Sequence, residues 1–170
     1  MSHLDVRIES AVYREMLRDL QRPHPHAFER VGFALCRYTE DCKTVFPVNY
    51  RPVADDDYIP DDSVGARICS TPLRTAIENA IEGAYGVFHV HMHEHAGVPD
   101  FSLTDVNFLN SYIPALKGAH GTAPHGALLL SKDSMIAQAW LPNGKIVRAD
   151  KILVVGTPMK IWRTHHHAST

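Results

Sequence analysis

The chain has 170 residues, 45% of them hydrophobic and 21% charged, which suits one domain with a sizeable core rather than two domains or a disordered tail. A formal net charge of -2, with basic and acidic residues interleaved, supplies neither a basic stripe for a phosphate backbone nor a polybasic anchor, so nucleic acid and membrane surfaces are not expected as partners. There is no signal-peptide pattern after Met1 and no apolar run of membrane-spanning length, and the three cysteines, Cys36, Cys42 and Cys69, lack redox or metal-knuckle spacing. These features read as a cytoplasmic protein with reduced thiols.

We expect one domain over residues 1–164 and a polar tail over 165–170, which carries His165, His166 and His167. Val6 and Ile8 suggest a first strand. Ser10 is placed to cap a helix whose apolar positions Val12, Tyr13, Met16, Leu17 and Leu20 follow three-four spacing, and Arg22-Pro23-His24-Pro25 stops it. Glu29 opens the run 31–36, which alternates large and small residues as a strand does. A second strand is expected over 44–50, with Pro47 marking an edge or a bulge.

Residues 54–70 are acidic and irregular and read as a surface loop. Thr71 and Pro72 suit the N-cap and first position of a helix running to about Ile81, with Gly83 as its stop. Ser102 and Asp105 form a capping box ahead of a helix using Val106, Leu109, Tyr112 and Ile113. Strands are expected at 127–130, 136–140 and 152–155, with a turn at Asn143-Gly144 between the last two. The fold class is therefore α+β, a central mixed sheet with about three helices.

Between two of these helices lies the chemically richest stretch. Residues 84–95 read as extended, and period-two geometry then sends His89, His91, His93 and His95 to one side. Such a row is a ready site for a divalent metal. A catalytic zinc takes three protein ligands and leaves a fourth position open; two alternate histidines and Asp105 supply three. A capping box also accounts for Ser102 and Asp105 without any metal, and an alternating histidine row occurs on half-exposed strands with no chemistry attached.

Glu29, followed by Gly32, then the later His-x-His, a short loop and Ser102-x-x-Asp105, together resemble the JAMM or MPN+ metalloprotease family in order along most of the chain. That resemblance implies a JAB-like, cytidine-deaminase-like domain of a minimal bacterial type. It implies zinc held by His91, His93 and Asp105, Glu29 as the base for a zinc-activated water, and Ser102 as the donor to the developing oxyanion. The residue between the histidines is Val90 or Met92 here, where the family has a small polar one, and no proline follows. Taking His91 and His93 leaves the loop to Ser102 one residue longer than is usual, whereas the register His89 and His91 leaves it three longer. In the first register His89 would orient a ligand from behind.

Proteins that look like this hydrolyse the isopeptide or peptide bond after the C-terminal tail of ubiquitin or a ubiquitin-like protein, and a substrate of that class is the leading expectation. A zinc hydrolase or deaminase of small molecules, and a non-catalytic binding scaffold, are the alternatives. The scaffold reading expects no zinc and no effect of Glu29→Gln.

Overall fold

The computed structural model describes residues 3–23 and 27–164, so the stop at His24-Pro25 and the tail 165–170 lie outside the described residues. In chain order the elements are β1 (Asp5–Glu9), α1 (Ser10–Leu20), β2 (Val31–Tyr38), β3 (Thr44–Pro52), α2 (Ser70–Gly83), β4 (Gly86–Met92), α3 (Leu103–Ala119), β5 (His125–Leu130), β6 (Met135–Trp140), β7 (Ile146–Arg148), β8 (Lys151–Val155) and β9 (Lys160–Arg163). The strands form one mixed sheet in the order β7-β6-β5-β4-β2-β3-β1-β8-β9. β1 runs parallel to β3 and β8, and β4 parallel to β5; the other neighbours are antiparallel. The protein is α+β. No helix among the described residues is long and apolar enough to cross a membrane.

Period-two alternation gives the sheet two apolar faces, each covered by helix. On one, Phe88, Val90 and Met92 of β4 pack with Val12, Met16 and Leu20 of α1. On the other, Val87 joins Val31, Phe33 and Leu35 of β2 under Ala76 and Ala80 of α2 and Leu109, Tyr112, Ile113 and Leu116 of α3. Each large apolar side chain buried in this way contributes on the order of 2 kcal/mol. Because β4, α3 and β5 make a parallel crossover, the start of α3 is carried back over the C-terminal end of β4.

Several local expectations change. β1 runs straight into α1, so the N-cap position falls on Glu9, and Ser10 becomes a buried first helical residue against Gly156. α2 begins two residues earlier than expected, with Cys69 at its N-cap; Pro72 is accommodated because first-turn N–H groups need no helical partner. Its left-handed terminal residue is Ala84, at φ 50°, while Gly83 makes room for the Tyr85 ring. Pro47 does mark a bulge: Leu35 pairs with Asn49 and Cys36 with Pro47, leaving Val48 extra. β3 is nevertheless internal, because β1 covers its other side.

Val106, expected on the buried face of α3, is 40% exposed. The short strands β7 and β9 were not expected, and the Asn143-Gly144 turn joins β6 to β7 rather than to β8. β4 ends at Met92, so His93 and His95 lie just past the strand.

Candidate metal centre

The antiparallel ladder between β2 and β4 pairs Val31 with His91, and continuing that register past the strand ends sets Glu29 opposite His93. The side chains meet there. Glu29, His91 and His93 offer ligand atoms that all lie within 4.8 Å of one another, and His93 Nε2 is 3.9 Å from Glu29 Oε1. Asp105, in the first turn of α3, reaches the same point: its Oδ1 is 3.0 Å from His91 Nε2 and its Oδ2 is 3.5 Å from His93 Nε2.

Ser102 holds that carboxylate in place. Its backbone N–H and its hydroxyl both donate to Asp105 Oδ2 at 2.7 Å, and its hydroxyl oxygen accepts from the Asp105 N–H at 3.2 Å. The capping box and the approach of Asp105 to the histidines are thus one arrangement, and the two explanations of Ser102 and Asp105 do not compete. The Ser102 hydroxyl proton is directed at Asp105, so donating to a substrate oxygen requires that it turn.

His91 is the most telling residue. It is 1% exposed, yet neither ring nitrogen has a hydrogen-bond partner; the short contact to Asp105 is not aligned as one. An unpartnered buried polar group costs about 1–3 kcal/mol, and the Asp105 carboxylate beside Nε2 is what offsets that cost for an imidazole otherwise without a hydrogen bond. A metal ion would be a further partner for it, and two imidazoles with a carboxylate are a donor set suited to zinc.

The electrostatics follow from the crowding. Burial pushes the Glu29 carboxyl up, with His91 opposing and Asp105 and Glu94 reinforcing. Burial also pushes Asp105 up, but the His91 contact and the Ser102 hydrogen bonds outweigh it and hold the carboxyl below its usual range. His93 is lowered by burial and by the neighbouring His91 ring.

The other two histidines of the row stand apart. His89 is 7% exposed and packs its ring 4.7 Å from Phe108 and edge-on to Phe33 at 5.7 Å; burial lowers its pKa to about 3. It makes no hydrogen bond to a candidate ligand among the described residues. His95 is exposed and turns its Nδ1 to the Ala96 carbonyl at 2.9 Å.

All of this opens into a cleft of about 850 Å³ between α2, α3 and residues 61–68. That segment is the irregular surface loop the sequence suggests, and it also forms one wall of the cleft. The Phe28 and Glu29 N–H groups both donate to the Gly65 carbonyl at 2.9 Å, and a side chain at Gly65 would collide with the Glu29 carboxylate. Tyr58 pairs with Ile68, and its hydroxyl accepts from the Val31 N–H at 2.8 Å. The apolar residues Val64, Ala66 and Ile68, interrupting an acidic stretch, were the signal for this docking. Gly32 has an equally specific role, since Tyr50 lies across it and hydrogen-bonds the buried Asp19 at 2.8 Å.

No protein-family model matches the chain, and no curated protein matches it.

Proposed function

We propose that the protein is a zinc-dependent amide hydrolase of the JAMM type, with the tail of a ubiquitin-like protein as its substrate. The observation that carries this reading is the meeting of Glu29 with His91 and His93, in a cleft where Asp105 touches both histidines. A histidine pair and a carboxylate bind metal in many settings; a half-buried glutamate facing them would supply the base that hydrolysis needs. The α+β sheet with helices on both faces accords with a JAB-like domain, and its three free cysteines accord with a reducing cytoplasm.

His91, His93 and Asp105 would hold the ion. Zinc in such a site supplies Lewis acidity, polarising a carbonyl and acidifying water. Glu29, whose carboxylate faces the histidine pair in the room left by Gly65, takes a proton from the attacking water and returns it to the leaving amine as the C–N bond breaks. Ser102, its hydroxyl turned from Asp105, donates to the oxygen that gains negative charge. Residues 61–68 and α3 wall the cleft in which the reacting bond would lie.

The cleft volume, within the range of small-molecule sites, favours a second reading, a hydrolase of small amides. Metal analysis paired with cleavage of ubiquitin-like fusions and of small amides tests both. Glu29→Gln is expected to keep its zinc and lose on the order of 10³-fold in turnover; undiminished cleavage would remove Glu29 as the base. Turnover confined to small amides would select the second reading.

A further inference from the structure

We propose that His89 is a substrate-binding residue, forming with the apolar wall beside it a subsite for a large apolar side chain close to the amide that is cut. The inference rests on the hydrolase reading above and adds to it the kind of residue the substrate presents. His89 is more than nine-tenths buried, and neither ring nitrogen has a hydrogen-bond partner among the described residues. Unlike those of His91, its nitrogens are not sealed: they remain open to the cleft that His89 lines. An imidazole always has a donor or an acceptor to offer, so this one is available to a molecule entering the cleft.

The surroundings define that molecule. Val31, Ile68, Leu73, Phe108 and Tyr112 line the same cleft. The Tyr112 hydroxyl donates to the Leu73 carbonyl at 3.1 Å, so Tyr112 offers the cleft its ring rather than its polar end. Apolar walls of this kind gain by covering an aromatic or long aliphatic side chain, and His89 provides one hydrogen bond at their base.

Its position relative to the metal centre sets the spacing. The His89 and His91 ring centroids are 5.2 Å apart, and an extended peptide advances about 3.3 Å per residue. The side chain taken by the subsite therefore belongs to a residue one or two positions from the reacting carbonyl, whose own peptide oxygen accepts from His89. A run of glycines on both sides of the bond would leave the subsite empty.

The test is binding, which does not depend on turnover. N-acetylated dipeptide amides of the form Xaa-Gly, with Xaa as Phe, Leu, Ala or Gly, are titrated by calorimetry into zinc-loaded Glu29→Gln protein, and the His89 ring is followed by NMR. The Phe and Leu peptides are expected to bind at least about tenfold more tightly than the Gly peptide and to shift the His89 ring signals. His89→Phe, which keeps the ring packing but removes the hydrogen bond, is expected to lose about tenfold in affinity at unchanged zinc content, and His89→Gln to regain part of it. Phe108→Ala should weaken the Phe peptide more than the Ala peptide.

Equal binding of all four peptides, or no binding, overturns the proposal. So does loss of zinc in His89→Phe, which would make His89 a ligand or a support for one. Should Glu29→Gln leave cleavage intact, the hydrolytic mechanism fails while the peptide preference stands, so the two failures are distinguishable.

Discussion

His91 and His125 are both buried histidines on adjacent parallel strands, at 1% and 0% exposure, and they are provided for in opposite ways. Both His125 ring nitrogens are used: Nδ1 accepts from the Val87 N–H at 3.1 Å, and Nε2 donates to the His120 carbonyl at 2.9 Å. That ring ties the start of β4 to the turn before β5. At the other end of β4, His91 has no hydrogen bond at either nitrogen. Burial by itself therefore says little about a histidine's role; what separates the structural ring from the candidate ligand is whether the fold supplies partners.

The largest expected effect lies on the structural side. Burial lowers the His125 pKa from the usual 6.5 to about 4, so between those values the unfolded chain binds the proton that the folded chain refuses. Stability is then fully present above pH 6.5, is lost as pH falls toward 4, and is flat in this contribution below; the loss is about 3 kcal/mol. His125→Asn keeps a donor and an acceptor but does not titrate. Urea melts of both proteins across pH 4–7 should show a shallower decline for the variant, and parallel declines would assign the pH dependence to other groups.

Zinc should distinguish the two rings next. At a free concentration 100 times its dissociation constant, zinc stabilises a specific site by about 2.7 kcal/mol. His91→Leu should abolish that increment in thermal melts at little cost to the metal-free protein, because the ring makes no hydrogen bond and gives up only its contact with Asp105, which keeps its Ser102 hydrogen bonds. If the metal-free variant is markedly destabilised, His91 is a structural residue after all.

His125→Leu inverts the pattern: orphaning the Val87 N–H and the His120 carbonyl should cost about 2 kcal/mol, with zinc stoichiometry unchanged by metal analysis. The smallest effect is at the cap. Ser102→Ala should lower stability by about 1 kcal/mol through loss of the α3 N-cap, and should weaken zinc binding because Asp105 loses a donor that orients it. A loss of stability without any change in zinc affinity would confine Ser102 to capping.

Much of the frame was legible along the chain. Apolar periodicity marked the three helices and most strands, and the Ser102-Leu103-Thr104-Asp105 spacing marked the start of α3. The strands that escaped, β7 and β9, are short and half-exposed at the sheet edges, where little burial is imposed and the pattern is correspondingly weak. In the site, alternation placed the histidines on a common side but did not rank them. The strand ends at Met92, leaving His93 free to turn toward Glu29, whereas His89 remains under Phe108.

What the sequence determines by itself is local: side-chain direction along β4, the capping box, and the presence of a glutamate, histidines and an aspartate able to bind metal and move protons. These follow from covalent geometry and short-range hydrogen bonding. The pairing of Val31 with His91 that sets Glu29 against His93, the docking of Gly65 onto Glu29, and the provision of partners to His125 but not to His91 were decided by tertiary structure. Each depends on segments distant in the chain coming into one register, and that register is set by the packing of both faces of the sheet together rather than by any single stretch.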